Sequence, residues 1–296
     1  MTRSFPPDVI VLDTDGMLHA RFARGKASPR LIHSKAYRLP EGTFAAAAVT
    51  PRLEAADGLI ETLRRVRVES GRWDKVSLLL PDSWFRINLL DLPTLPQKQN
   101  EALDAVRWSL KRTLPIPPEQ LRVTYSVLSR NAKGVRVLVL SAMEATLNAI
   151  ETTFSKAGID VVLIEPLGLN LWNAIATHEA ETAAYRLFLY IRDDEFTTAV
   201  FRGAEPLFIR SRNLSSERSL EQEIRLSANY LRDSLEVDIF STCYVAGDPA
   251  ATLRDVLAAE FDTAVRPVAL RDYVEDVPAS AAQEAELTAC TGVFTG

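Results

Sequence analysis

The sequence predicts an α/β fold built from two copies of one structural unit, with a separate module inserted into the first copy. Two observations support the duplication. A meander of three short strands, followed by a helix and one more strand, begins near residue 8 and begins again near residue 185. The two meanders superimpose at an offset of 178 residues, which places Arg24-Gly25 on Arg202-Gly203. A third observation is that the intervening stretch alternates strands and helices in an order of its own, which indicates an insertion.

The first copy starts with three short strands over residues 8–13, 17–23 and 30–37, separated by DTDG and RGKASP. Clusters of Gly, Pro, Asp and Ser between β-rich stretches are typical of hairpin turns. The next segment, PRLEAADGLIETLRRVRVES, repeats leucine and isoleucine at helical spacing, so we expect a helix that starts at Pro51. KVSLLLP then predicts a buried central strand, because it is apolar on both faces.

The inserted module covers residues 84–165 and has the predicted order strand, helix, strand, strand, helix, strand. Its helices are QKQNEALDAVRWSLKRTL and EATLNAIETTFSKAG, and Gly158 ends the second of them. The last strand of the module is IDVVLIEP. This order is that of a split βαββαβ module, which we expect to bury a small core of its own.

The second copy begins with YRLFLYIRDDEFTTAVFRGAEPLFIRSRNL, which again alternates strands with polar or glycine-containing turns. A long helix over residues 220–235 and the strand IFSTCYVAG follow. We therefore predict three domains: a first lobe at residues 1–83, the inserted βαββαβ subdomain at 84–165 and a second lobe at 166–296.

Composition and charge argue against several classes of function. The net charge is −5 and the pI about 5.4, so no overall charge attracts the chain to nucleic acid or anionic lipid. The two cysteines and three histidines lack ligand spacing, which argues against a structural zinc site and a disulfide framework. No segment reaches the ~18 apolar residues of a membrane span, and the N-terminus lacks the apolar core of a signal peptide. We expect a soluble cytoplasmic protein with no metal.

Several long segments resemble one protein family. LDLPTLPQKQNEALDAVRWSLKRTLPIPPEQLRVTYSVL resembles the signature stretch of the type IV pilus assembly protein PilM, and VLVLSAMEATLNAIETTFSKAGIDVVLIEPLGLNLWNAI is similar to the segment that follows it in that family. The resemblance continues in order and covers roughly residues 8–294. It implies an actin-like ATPase fold similar to that of FtsA, with duplicated ribonuclease-H-like lobes and a subdomain inserted into the first lobe. The cytoplasmic part of the type II secretion protein GspL is similar.

The resemblance implies a nucleotide cleft, but the first phosphate loop departs from the family pattern. Actin-like ATPases hold phosphates with two hairpin loops, in which glycine lets backbone amides approach and aspartate positions magnesium or water. The first loop corresponds to Asp13-Thr14-Asp15-Gly16. Asp13 is retained, whereas the Ser/Thr-rich turn is shortened to Asp15-Gly16. His19 stands where PilM carries a lysine.

The second lobe departs further from the pattern. Tyr190-Ile191-Arg192 replaces the usual Asp-Ile-Gly, and Asp193 and Asp194 follow without a glycine. On the adenosine side Gly247 alone matches a Gly-Gly pair. Five residues replace the several dozen that form the fourth subdomain in the family, so we expect this subdomain to be reduced.

These departures predict a pseudo-ATPase with a degenerate nucleotide site, no catalytic residues and no cofactor. The aspartates of both loops would converge on the cleft with only Arg192 as a nearby cation. A like-charge pair at ~4 Å costs about 4 kcal/mol at the effective dielectric of a protein surface, so ATP-magnesium is not expected to bind. The alternative is an active actin-like ATPase of the same machinery.

A haloacid-dehalogenase-type phosphatase is a second alternative. VLDTDGML resembles the D-x-D-G-[TV]-L motif of those enzymes, in which the first aspartate is phosphorylated and the second acts as acid and base. The motif needs a downstream acidic pair, and Asp248 and Asp255 are seven residues apart, which is too wide. A short motif without its structural context does not establish the activity.

The resemblance also implies a partner. PilM-like proteins bind the short cytoplasmic tail of a bitopic inner-membrane protein, PilN, in a groove on the first lobe and its insert. We therefore expect a cytoplasmic scaffold of a type IV pilus or type II secretion platform, peripheral to the inner membrane and linked to it only through this partner. The resemblance leaves self-association open.

One helix carries candidate partner-binding residues, Trp108, Lys111 and Arg112. Trp108 lies opposite the apolar stripe of its helix, on a face that is otherwise charged. A tryptophan in this position is either a binding hot spot or covered by the protein's own chain. We favour the second interpretation, with the segment PIPPEQ folding back over it.

Overall fold

The computed structural model of the chain describes residues 5–26, 28–45, 50–179, 183–192, 195–203, 205–213, 219–235, 239–247, 250–277 and 283–295. The chain forms two compact units. The insert-bearing unit comprises Asp8–His19 and Lys35–Pro166, and the C-terminal unit comprises Met1–Pro7, Ala20–Ser34 and Leu167–Gly296.

Strands and helices alternate along the chain much as the sequence predicts. The strands are β1 (Asp8–Leu12), β2 (Gly16–Ala23), β3 (Arg30–Arg38), β4 (Phe44–Ala45), β5 (Arg52–Leu53), β6 (Lys75–Leu80), β7 (Phe85–Leu92), β8 (Leu121–Asn131), β9 (Gly134–Met143), β10 (Asp160–Pro166), β11 (Tyr185–Arg192), β12 (Glu195–Arg202), β13 (Glu205–Asn213), β14 (Thr242–Gly247) and β15 (Val265–Pro267). The helices are α1 (Ala56–Glu69), α2 (Gln99–Leu110), α3 (Glu144–Lys156), α4 (Leu167–His178), α5 (Leu220–Leu235), α6 (Ala250–Phe261) and α7 (Glu284–Gly292).

The predicted duplication is confirmed by the sheet topology. One five-stranded sheet has the order β3-β2-β1-β6-β10, and the other has the equivalent order β13-β12-β11-β14-β15. The pairing is also of the same kind, since β1 pairs in parallel with β6 and β11 pairs in parallel with β14.

The core of the first sheet explains why this part of the chain folds. β1 is buried at all five positions and β6 at five of its six, as expected of central parallel strands covered on both faces. α1 contributes Leu59, Leu63 and Val66, and α3 contributes Ile150 and Phe154, all without exposed surface. Fully burying one such side chain contributes roughly 1.5–3 kcal/mol to stability.

The start of α1 differs from the prediction. The helix begins at Ala56 and not at Pro51, because Arg52 and Leu53 form β5 and pair with β4. The backbone N–H groups of Glu54 and Ala55 donate to the carbonyl of Thr43, which holds this segment extended. Of the alanine-rich stretch 45–49, Ala45 lies in β4 and residues 46–49 lie outside the described residues.

The inserted module has the predicted order of elements, but its last strand joins a different sheet from the one expected. β7, β9 and β8 form an antiparallel three-stranded sheet, and α2 covers one face of it with Ala102, Val106 and Leu110. β10 instead pairs in parallel with β6 at the edge of the first sheet. α3 packs with α1 in the core of that sheet. The inserted sheet therefore contains three strands and one helix, and α3 and β10 complete the first five-stranded sheet.

The C-terminal unit packs helices on both faces of its sheet. α5 and α6 bury apolar residues such as Ile224, Leu231 and Leu257 against one face. On the other face, Trp172 of α4 stacks on Phe201 at a ring-centroid distance of 3.8 Å. β13 ends at Asn213 and α5 begins at Leu220; residues 214–218 of the shortened connection lie outside the described residues.

Helix α7 was not predicted, and its burial explains the omission. Its residues from Leu287 to Gly292 are all buried, so the segment has no polar face and therefore no helical periodicity. At Gly292 an added Cβ would lie 1.9 Å from the carbonyl oxygen of Asn170, which shows how closely α7 and α4 approach. No helix within the described ranges is both long and apolar enough to cross a membrane.

Candidate functional site

The first predicted phosphate loop is a tight turn in which two backbone N–H groups donate to acceptors of the turn itself. The N–H of Asp13 donates to the carbonyl of Gly16 at 2.8 Å, and the N–H of Thr14 donates to the Asp13 carboxylate at 2.6 Å. The carbonyl of Asp15 accepts from Leu39 at 2.8 Å. A phosphate loop presents free backbone N–H groups to its ligand. In this turn two of those groups already have partners within the turn.

His19, the residue that matches the loop lysine of PilM, lies in the core. Its Nε2 atom is 2.8 Å from the carboxylate of Asp8, and its ring stacks on Trp73 with centroids 5.0 Å apart. His19 is fully buried, and the side chain of Asp8 is almost fully buried. A buried carboxylate needs such a hydrogen-bonding partner, so the pair has a structural explanation.

Arg192, at the start of the second predicted loop, has a carboxylate partner. Arg192 ends β11 and forms an ion pair with Glu286 of α7 at 3.1 Å, and the two side chains are only 17% and 13% exposed. Arg192, the cation expected to face the aspartates, is therefore already paired with a carboxylate of its own unit. Asp193 and Asp194 lie outside the described residues.

Gly247 has a backbone conformation that only glycine adopts without strain. Its φ is +85°, and an added Cβ would lie 1.6 Å from the carbonyl oxygen of Ile191 on β11. The close approach of β14 to β11 thus accounts for this glycine. Across the described ranges, no three His, Cys, Asp or Glu side chains are grouped so that they could hold a metal ion.

A groove of about 250 Å³ lies within the insert-bearing unit, between the face of the inserted sheet opposite α2 and the edge strand β10. Its lining combines an apolar floor with a polar rim. The lining residues are Phe85, Arg122, Thr124, Leu140, Ser141, Ala142, Leu147, Glu151, Val161, Val162, Leu163 and Ile164.

The terminal strand β10 lines one side of this groove. Four consecutive residues of this strand, 161–164, contribute to the lining. β10 is the terminal strand of its sheet and pairs on one side with β6. Val162 is 42% exposed, and the register with β6 shifts between Val161 and Leu163. An open strand edge beside an apolar groove can accept another strand.

An ionic cluster forms the polar rim of the groove. Arg122 of β8 donates to Glu151 at 2.7 Å and to Glu144 at 2.9 Å, both on α3. These bonds raise the pKa of Arg122. The hydrogen bonds from Arg122 in turn lower the pKa of Glu144. One arginine with two carboxylates leaves one net negative charge at the rim. No local pattern in the sequence indicates this cluster, because the three residues meet only when β8 packs against α3.

The candidate partner-binding residues of α2 lie elsewhere. Trp108 is 65% exposed, with the Arg112 guanidinium 5.8 Å from its ring centroid, and Lys111 is also exposed. The interpretation that PIPPEQ covers Trp108 is therefore wrong. Pro118 of that segment is itself buried, and the chain continues directly into β8. None of the three candidates lines the groove, which lies on the other face of the inserted sheet.

Comparison with solved structures shows that the fold is actin-like. The chain is similar to a structure of the PilM-PilN type IV pilus biogenesis complex, with a TM-score of 0.78, 18% identity and 96% of both chains covered. It is also similar to a Bacteroides thetaiotaomicron protein with an actin-like ATPase fold and unknown function, at TM-score 0.59 and 12% identity over 96% of this chain and 94% of the other. The cytoplasmic domain of EpsL, an inner-membrane component of the Vibrio cholerae type II secretion system, matches at TM-score 0.52 and 13% identity over 97% and 94%.

These likenesses confirm the predicted resemblance at the level of the fold. No protein-family model matches the sequence, and no curated protein sequence is significantly similar to it. An actin-like fold gives no support to the haloacid-dehalogenase alternative, since that alternative rested on a single short motif. At these sequence identities, function has to be argued from the site.

Proposed function

We propose that this actin-like chain is a non-hydrolysing cytoplasmic scaffold of a type IV pilus or type II secretion platform, and that it binds the cytoplasmic tail of a bitopic inner-membrane protein. The observation that carries the proposal is the groove between the inserted sheet and the open edge of β10. The similar PilM structure is a complex with PilN, which makes a partner of this kind the natural expectation.

The groove suits an extended peptide. Backbone N–H and C=O groups along the edge of β10 would pair with the added strand, and alternate side chains of the peptide would enter the apolar floor around Leu140 and Leu147. The net negative rim at Arg122, Glu144 and Glu151 favours a positively charged residue at that end of the peptide. Cytoplasmic segments next to membrane spans are rich in lysine and arginine, which agrees with this charge.

Three features support the non-hydrolysing part of the proposal. The N–H groups of Asp13 and Thr14 have partners inside their own turn. Arg192 is paired with Glu286. The residue in place of the loop lysine, His19, is buried against Asp8 and Trp73. The active-ATPase alternative would require these groups to exchange their present partners for phosphate.

The test is calorimetric titration of the protein with the N-terminal tail peptide of its PilN-like partner. Val162→Asp places a charge on the exposed edge of β10 and should weaken binding by about tenfold or more, since a desolvated charge would oppose the apolar peptide. Val68→Asp is the matched control, because Val68 is an 84% exposed valine on α1 and does not line the groove. Thermal melts should show both variants folded. Equal affinity of the two variants for the tail would refute the groove assignment.

A further inference from the structure

A second cavity, of about 440 Å³, lies within the C-terminal unit and has an apolar wall. Phe5, Phe22 and Phe294 come from three separate segments, and Pro7 and Pro29 complete the wall. The rings of Phe22 and Phe294 meet edge to face, with centroids 5.7 Å apart. The volume falls within the range of ~300–1,000 Å³ that is usual for small-molecule sites, which are lined mainly by apolar and aromatic side chains.

Two cations stand at the rim of this cavity. Arg24 and Lys26, from the turn between β2 and β3, line it, and both are exposed. Within the described part of the chain neither side chain forms an ion pair. The carboxylate of Glu275 accepts from the backbone N–H groups of Lys26 and Ser28 at 3.0 and 3.2 Å. The rim therefore keeps a net positive charge while Glu275 fixes the backbone of the turn.

The lining offers little to the backbone of a peptide. Pro7 and Pro29 have no N–H group, the N–H of Phe22 donates to the Pro7 carbonyl at 2.9 Å, and those of Lys26 and Ser28 are held by Glu275. β2 lies between β1 and β3, so it has no open edge along which a strand could be added. An occupant of this cavity would therefore bind mainly through apolar contact and charge.

We infer that this cavity binds a small anionic amphiphile, a single alkyl or acyl chain that carries a carboxylate or phosphate group. The chain packs against the three phenylalanines, and the anionic group lies at the rim between Arg24 and Lys26. The same chemistry is available from a free fatty acid or from one chain of an anionic phospholipid. The site is separate from the groove of the proposed function, and neither depends on the other.

The probes are decanoate and decyl phosphate below their micellar concentrations, with decanol as the neutral counterpart, titrated into the full chain by calorimetry. Both anions should bind at least about fivefold more tightly than decanol, the factor that corresponds to ~1 kcal/mol for an accessible charge pair.

Replacing both cations, Arg24→Glu with Lys26→Glu, should remove the preference for anions and leave the affinity for decanol unchanged. Lys26→Gln alone should reduce the preference in part. Arg130→Glu with Lys133→Glu, which reverses two exposed charges on the β8–β9 hairpin, should have no effect.

Two further measurements identify the source of the ligand and separate this site from the groove. If the protein sediments with phosphatidylcholine vesicles that contain phosphatidylglycerol, but not with pure phosphatidylcholine vesicles, the ligand is a bilayer lipid. If the protein binds only the monomeric anions, the ligand is a free amphiphile. The Arg24/Lys26 variant should bind the partner's tail peptide normally. The inference fails if decanol binds as tightly as decanoate, or if the charge-reversed variant still prefers the anions. It also fails if that variant no longer binds the tail peptide and no amphiphile binds the protein.

Discussion

Replacement of Trp108 by alanine tests how the exposed surface of α2 contributes to stability and to binding. Because the side chain is 65% exposed, only about a third of it is in contact with the protein. A tryptophan buries at most ~250 Å², so the contact area is roughly 90 Å². At ~25 cal/mol per Å² this area corresponds to an upper limit of about 2 kcal/mol. Since alanine retains some of this contact, we expect a loss of about 1 kcal/mol.

Trp84 provides the matched comparison within the same unit. It is 4% exposed and packs on Phe44 with ring centroids 5.4 Å apart, so Trp84→Ala should cost about 3–5 kcal/mol. Urea unfolding followed by circular dichroism measures both variants. If Trp108→Ala destabilises the protein as much as Trp84→Ala does, Trp108 is covered in solution and not exposed.

The same variant separates the two candidate partner surfaces. Trp108 does not line the groove, so Trp108→Ala should change the affinity for the tail peptide by less than about threefold. A loss of about 2 kcal/mol or more would make Trp108 a binding hot spot. The partner surface would then include α2 with Lys111 and Arg112, as predicted from the sequence, and the groove would not be sufficient.

Two other predictions concern the loops that are proposed to be degenerate. ATP-magnesium should leave the melting temperature unchanged. A ligand present at a hundredfold its dissociation constant would add about 2.7 kcal/mol to the free energy of unfolding and raise the melting temperature by several degrees. A rise that Asp13→Ala abolishes would overturn the pseudo-ATPase proposal. Gly247→Ala should destabilise the protein by more than 2 kcal/mol in urea unfolding, since it combines a positive φ with a clash against the Ile191 carbonyl. Gly42→Ala is the control, because Gly42 has a φ of +76° but no atom within 4 Å of an added Cβ. It should lower the stability by only ~1 kcal/mol. Equal losses of stability in the two variants would show that the close approach of Gly247 to Ile191 is not rigid.

The duplicated meanders could be predicted from the sequence because turns are encoded locally. DTDG and RGKASP interrupt apolar stretches, and these interruptions fall between β1, β2 and β3 as observed. The sheet to which β10 belongs could not be predicted in the same way. The segment DVVLIEP is apolar enough for either sheet, and its pairing with β6 joins residues about 85 positions apart in the sequence. Strand pairing at that separation is decided by tertiary packing, which local patterns do not report.

The candidate site shows the same division. Helical spacing alone places Trp108 opposite the apolar stripe of α2. Whether other residues cover its side chain depends on the path of residues 115–120, which helical spacing does not predict. The groove lies between β10 and the inserted sheet, so assigning β10 to that sheet concealed it. Arg122 has an ordinary position in an alternating strand, and only the packing of α3 brings Glu144 and Glu151 to it.

Packing alone can account for the two glycines at the loops predicted to be degenerate, Gly16 and Gly247. At Gly16 an added Cβ would lie 3.1 Å from the carbonyl oxygen of Tyr37, and at Gly247 it would lie 1.6 Å from that of Ile191. Both positions therefore require or favour glycine for packing within their own units, whether or not phosphate ever binds. The groups that would contact phosphate, the turn amides and the nearby cation, have instead been given partners inside the protein. Packing within the actin-like fold can thus explain both glycines without a nucleotide, and the terminal strand β10 keeps an unpaired edge in its own sheet beside an apolar groove.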